Sequence, residues 1–183
     1  ALWCQVAEAA NVNLSQSQIA QFESYLAVLT AANERMNLTR STARSTARVR
    51  HVADALTLLP FIPAGEIMLA DVGSGGGVPG IPLAIARPDA RITLIEATKK
   101  KAGFLRETSA ELALTNVIVR DVRAEDAGHN ANMRENFHAV VARAVGTLDW
   151  LSEGWRLLAK GCGDMMAMKG EKTSIELPAA AHA

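Results

Sequence analysis

The chain carries no excess charge: Lys+Arg and Asp+Glu number 19 each. A histone-like, strongly basic mode of binding is therefore excluded, although a local basic patch is not. Cysteine is scarce. Cys4 and Cys162 are the only two, which makes neither a disulfide framework nor a metal-ligand spacing, so a reducing compartment and no metal site are expected. No apolar run approaches the roughly 20 residues of a membrane-spanning helix, and no signal peptide opens the chain. A cytoplasmic protein without membrane contact is the expectation. The sequence opens without methionine and closes on Ala179-Ala180-Ala181-His182-Ala183, as a trimmed chain would. Apolar residues are plentiful. At 49% of 183 residues they support a packed core in one domain with an accessory segment.

One stretch organises the rest. Ile67 to Val72 is a short apolar run that reads as a buried strand. Five glycines then fall between Gly73 and Gly80, and the apolar run Val78 to Ala86 is long enough for one helix. Strand, glycine loop and helix form the nucleoside- or phosphate-binding opening of a doubly wound sheet. Two registers compete. Gly75-x-Gly77-x-x-Gly80 fits the dinucleotide fingerprint. Gly73-x-Gly75-x-Gly77, preceded by Asp71, fits an S-adenosylmethionine loop. A pyrophosphate disfavours a nearby carboxylate, whereas an ammonium and a sulfonium favour one. Pro79 also removes an N–H from the turn that would hold a pyrophosphate. A glycine turn that merely lets strand and helix pack is the third reading.

Residues 1–62 read as helical. Ser15 and Gln18 make a capping box, and Ile19, Phe22, Leu26 and Leu29 recur at helical spacing, with Tyr25 and Val28 widening the stripe. Asn33 to Thr39 reads as a polar break. Arg40, Arg44 and Arg48 then recur every four residues in a Ser-Thr-Ala-Arg repeat, with no acid between Glu34 and Asp54. A solvated arm and a phosphate-contacting face both fit. His51 and Asp54 stand at i, i+3 on a helix ending at Pro60; no Ser or Cys partner makes a triad of them.

Beyond the glycine loop, Arg91 to Ile95 reads as a second strand ending in Glu96, placed to accept hydrogen bonds from ribose hydroxyls. Lys99, Lys100 and Lys101 follow at a helix start, where the macrodipole disfavours cations; a substrate phosphate and a solvated face are the two accounts. Phe104, Leu105, Leu112 and Leu114 fit that helix. Asn116 to Val119 is a third strand, and Arg120 to Asp126 a loop able to grip an adenine. Phe137 to Ala142 is a fourth strand, delivering Arg143 to the crevice. Thr147 to Leu158 is a helix broken at Gly161, and Met165 to Met168 a fifth strand ending at Lys169-Gly170. The alternation argues a parallel sheet with right-handed crossovers.

Taken together, these motifs resemble the small-subunit (16S) ribosomal RNA guanine-N7 methyltransferases, also called glucose-inhibited division protein B. The residues that carry the resemblance are Asn37-Leu38-Thr39, His51 with Asp54, Asp71 through Pro82, Lys100 with Phe104-Leu105, Arg143-Ala144 and Lys169-Gly170. The resemblance implies an α/β, class I S-adenosylmethionine-dependent methyltransferase fold, Rossmann-like, with helices on both faces of a mostly parallel sheet. A helical extension over residues 1–62 would pack on a methyltransferase domain over 63–183. Where the family carries acidic and apolar residues before Arg50-His51, this chain has the Ser-Thr-Ala-Arg repeat, and the family's C-terminal antiparallel strand pair has no evident counterpart.

The resemblance also implies methyl transfer from S-adenosylmethionine to N7 of a guanine in small-subunit ribosomal RNA or a ribosomal particle. With the loop reading it gives a cofactor set of Asp71, Gly73, Gly75, Gly77, Val78, Glu96, Ala124, Glu125 and Arg143. Asn37, His51, Asp54, Lys100, Arg143 and Lys169 would face the RNA. Guanine N7 has a lone pair and no proton at neutral pH, so no catalytic acid or base is expected. Three alternatives stay open: a methyltransferase with another substrate, an NAD(P)-dependent oxidoreductase and a non-catalytic RNA-binding module. Oligomeric state is not legible; a monomer is the default.

Overall fold

The computed structural model describes residues 2–36, 52–143, 157–168 and 175–176. The Ser-Thr-Ala-Arg repeat, Asn37, His51, most of the helix read over 147–158, and Lys169 lie outside the described residues.

Two helices open the chain, α1 (Leu2–Ala9) and α2 (Gln16–Met36). The capping box forms as read. Ser15 N–H donates to Gln18 Oε1 at 2.8 Å, and Gln18 N–H donates to Ser15 Oγ at 3.3 Å. The polar break expected from Asn33 does not interrupt α2, which continues to Met36; Asn, Glu and Arg lack the backbone restriction that would end a helix. Residues 52–56 form α3, followed by a 3₁₀ turn, Leu59–Phe61, that includes Pro60.

The sheet has strands β1 (Met68–Val72), β2 (Arg91–Ile95), β3 (Val117–Arg120), β4 (Phe137–Arg143), β5 (Ala159–Met168) and β6 (Ile175–Glu176) in the order β3-β2-β1-β4-β5-β6. All described pairings are parallel except β5 with β6, so a short antiparallel strand closes that edge. The crossovers are α4 (Gly80–Ala86), α5 (Lys99–Glu111) and α6 (Ala124–His129). Period-2 alternation divides the core by face. Leu69, Ile92, Leu94, Val141 and Met166 pack with α1 to α5, and Ala70, Val72, Ile95, Val140 and Ala142 pack on the opposite side.

Two boundaries differ from the sequence reading. Gly161 does not break a helix; it lies inside β5, which begins six residues earlier than expected, at Ala159. The register slips between Phe137 and Ala139, and β5 carries extra residues there. A Cβ on Gly163 would meet the Lys160 and Phe137 carbonyl oxygens at 3.0 Å. Glycines in this stretch therefore mark a bulge. The loop read over Arg120 to Asp126 is likewise half helix, because α6 begins at Ala124.

α2 is tied to the sheet domain by amides as well as apolar contacts. Gln18 Nε2 donates to the Ile85 carbonyl at 2.7 Å, and Gln21 Nε2 to the Leu112 carbonyl at 2.8 Å. These carbonyls end α4 and α5, where helices leave acceptors without intrahelical partners.

Candidate cofactor site

Strand order reverses at β1, whose neighbours are β2 and β4. In open parallel sheets the crevice beyond the strand carboxyl ends at this switch point receives ligands. The glycine loop, the end of β2 and Arg143 at the end of β4 all lie there.

The loop is built from conformations that only glycine adopts without strain: Gly73, Gly75 and Gly77 have φ of 71°, 55° and 95°. Five of its amides are committed within the protein. Gly73 and Ser74 N–H donate to the Ile95 carbonyl at 2.8 and 3.1 Å, and Gly77 N–H donates to the Ser74 carbonyl at 2.7 Å. Gly75 N–H donates to Glu96 Oε2 at 2.9 Å. Gly80 N–H donates to Asp71 Oδ2 at 3.0 Å. The Val78–Pro79 peptide is cis.

Glu96 is nearly buried, and its other oxygen, Oε1, accepts Thr98 N–H at 2.8 Å. Asp71 is fully buried behind the loop. Its Oδ2 serves Gly80, while Oδ1 has no hydrogen-bond partner. Burial pushes its carboxyl up to about 7; the Glu96 charge adds to this, while the Gly80 N–H, the Ser74 hydroxyl and Arg143 oppose it. Burial also lowers Arg143, against the supporting charges of Asp54 and Asp71. Arg143, Asp54 and Asp71 thus belong to one electrostatic cluster at the carboxyl end of β1 and β4.

Among the remaining site residues read from the sequence, Val78 is buried in the loop, and Ala124 and Glu125 lie half-buried in the first turn of α6, beyond β3. Lys100 is exposed in the first turn of α5. The sequence reading missed two participants. Ser74 Oγ donates to the Asp71 main-chain carbonyl at 2.8 Å. Tyr25, which is fully buried, donates from Oη to the Gly76 carbonyl at 2.8 Å. One signal was available: Tyr25 is the only tyrosine in the chain, it sits on the apolar stripe of α2, and a buried tyrosine hydroxyl requires an acceptor.

This sheet order, with a glycine loop after the first strand and an acid closing the second, defines a class I S-adenosylmethionine-dependent methyltransferase fold. Solved structures share it. An S-adenosylmethionine-dependent methyltransferase described as putative, from Methanococcus maripaludis, superposes with a TM-score of 0.53 at 18% identity, over 68% of this chain and 57% of that one. A transferase from Pyrococcus horikoshii, also described as putative, gives 0.55 at 15% identity, over 72% and 45%. This chain thus spans about half the length of these two structures, and the likeness concerns the fold alone.

Sequence relatives are closer. The family model described as GidB, rRNA small subunit methyltransferase G, matches residues 18–183. The ribosomal RNA small subunit methyltransferase G of Sorangium cellulosum is 47% identical over 171 residues, covering 92% of this chain and 71% of that protein. That of Leuconostoc mesenteroides is 39% identical, covering 92% and 72%. The chain belongs to this family of ribosomal RNA methyltransferases.

Proposed function

We propose that the chain transfers the methyl group of S-adenosylmethionine to N7 of a guanine in small-subunit (16S) ribosomal RNA. One observation carries the cofactor assignment: two of the loop amides that could serve a pyrophosphate are held by buried carboxylates, Gly75 by Glu96 and Gly80 by Asp71. Carboxylates at this end of the sheet suit an ammonium and a sulfonium and oppose a diphosphate. That weighs against a nicotinamide dinucleotide. Family membership supports the RNA substrate.

The residues present fit the group. Gly73 and Gly75 leave backbone without side chains, Gly77 lets the loop lie close against Ile81 and Leu105, and Asp71 keeps an unpartnered oxygen behind it. Bound S-adenosylmethionine supplies an electrophilic methyl group on a sulfonium. Gly73, Gly75, Gly77 and Val78 form the floor of its site, with Asp71 behind them. Glu96 accepts from the ribose hydroxyls. Ala124 and Glu125 would border the adenine, and Arg143, at the end of β4, would contact the cofactor or the target guanine.

Guanine N7 offers a lone pair and carries no proton, so no side chain has to remove one. The residues instead hold the reactants in line and keep water out. On the RNA side, exposed Lys100 would meet phosphate, and the family resemblance adds Asn37, His51, Asp54 and Lys169 to the RNA-facing set. A neutral chain has little long-range attraction for RNA, so an assembled ribosomal particle supplies part of the recognition. On this reading the protein acts in the cytoplasm, with a monomer as the default. Among the described residues no helix is long and apolar enough to cross a membrane.

Two experiments test the two assignments. Calorimetric titration of S-adenosylhomocysteine into Glu96→Ala is expected to show affinity at least tenfold below the unaltered protein; equal affinity removes the ribose assignment. Mass mapping of small-subunit ribosomal RNA from cells lacking the gene is expected to show one N7-methylguanine missing. An unchanged map would overturn the substrate.

A further inference from the structure

The glycine loop is held from outside the sheet as well as from within it. Tyr25 reaches it from α2, in the N-terminal extension, and its hydroxyl donates to the Gly76 carbonyl at 2.8 Å. The N–H of the same peptide unit, on Gly77, donates to the Ser74 carbonyl at 2.7 Å. The Gly76–Gly77 peptide plane is thus fixed at both ends. The plane is hung between the Cα atoms of two glycines, Gly76 and Gly77, the latter with a φ of 95°, so neither flanking residue restrains it much by itself.

Seven residues earlier on α2, Gln18 Nε2 holds the Ile85 carbonyl at the far end of α4. One helix therefore grips both the loop that enters α4 and the turn that ends it. Trp3 of α1 stacks on Phe22 of α2 with ring centroids 6.1 Å apart, which anchors α2 behind this contact.

We propose that Tyr25 is a positioning residue for the cofactor loop, its hydroxyl fixing the Gly76 carbonyl and so setting the affinity for S-adenosylmethionine. This rests on the reading of the loop as the cofactor site. A glycine-rich loop has much conformational freedom to lose on binding, and a restraint made in advance lowers that cost. Burial holds the Tyr25 hydroxyl protonated, since its pKa is raised first by desolvation and then by the Asp71 charge, with Arg143 opposing. The group remains a donor throughout the physiological range. The extension is then part of the cofactor site's machinery and not only a cover for the sheet.

The test compares the unaltered protein, Tyr25→Phe and Gln21→Ala. The last removes the neighbouring tether of α2 to the Leu112 carbonyl and leaves the loop alone. Titration with S-adenosylhomocysteine is read beside hydrogen exchange of residues 73–80. Tyr25→Phe is expected to weaken binding threefold or more and to speed loop exchange, with neither change in Gln21→Ala. A loss of less than threefold, or an equal loss in both variants, overturns the proposal. No binding by the unaltered protein overturns the cofactor assignment instead, and the proposal with it. Should Tyr25→Phe not fold, the reciprocal effect is read on the unaltered protein: ligand must slow exchange in residues 22–28, and unchanged exchange there overturns the coupling.

Discussion

The glycine loop and the β3 edge place their acids in opposite settings. At the loop, Asp71 and Glu96 are buried and bond to backbone amides. At the edge, Asp121 pairs with Arg106 at 2.7 Å, and both side chains are more than 40% exposed. Their titrations diverge accordingly. Burial drives Asp71 up, whereas the Arg106 hydrogen bond holds Asp121 below the ordinary carboxylate range. An exposed ion pair contributes little because water and salt screen it. A buried carboxylate costs stability and is kept where its charge has a use. Of these acids, the least favourably placed one is thus the one proposed to lie behind the cofactor.

That contrast can be broken most forcefully at Gly80. A Cβ there would collide with Leu94 and lie 2.6 Å from Asp71 Oδ2. Gly80→Ala is expected to lose about 3 kcal/mol of unfolding free energy by overpacking, together with S-adenosylhomocysteine binding. A denaturation midpoint equal to that of the unaltered protein would show that the wall yields.

Asp71→Asn sharpens the comparison through pH. The folded carboxyl titrates at about 7 and the free one at 3.8. The folded state therefore holds its proton more tightly than the unfolded chain. Stability should fall as pH rises from about 4 to about 7 and level off above, by at most on the order of 4 kcal/mol. Asp71→Asn lacks this slope. Denaturation series at several pH values compare the two; parallel curves would remove the assignment of a high carboxyl pKa to Asp71. Asp121→Asn has the opposite sign, since its contribution is present at neutral pH and is lost as the pH falls.

A smaller effect belongs to Gln18→Ala, which removes half of the capping box and the Ile85 tether together. About 1 to 2 kcal/mol of stability should be lost. Loss within a few tenths would mean that water replaces both bonds. The smallest effect is expected at the edge: Arg106→Ala should leave the unfolding midpoint and cofactor affinity unchanged. A clear loss of affinity would show that the β3 edge reports to the crevice after all.

Much of the architecture was legible because it depends on local pattern. Buried strands announce themselves as short apolar runs, and Ser15 with Gln18 formed the cap that their spacing requires. Misreadings came where tertiary contacts override local rules. Gly161 looked like a helix breaker, yet β4 recruits that stretch as an irregular strand. Ala124 and Glu125 looked like loop, yet α6 begins there.

At the site, the sequence by itself fixed the kinds of group present: glycines able to turn left-handed, an acid before them and an acid closing the second strand. These follow from backbone sterics and charge, which belong to residue types. Which partner each acid takes was settled only by folding. Asp71 serves Gly80 nine residues on, Glu96 serves Gly75 across a crossover, and Tyr25 reaches Gly76 from another helix. A hydrogen bond depends on ångström-scale placement of groups far apart in the chain, and only packing the whole core brings them within that distance.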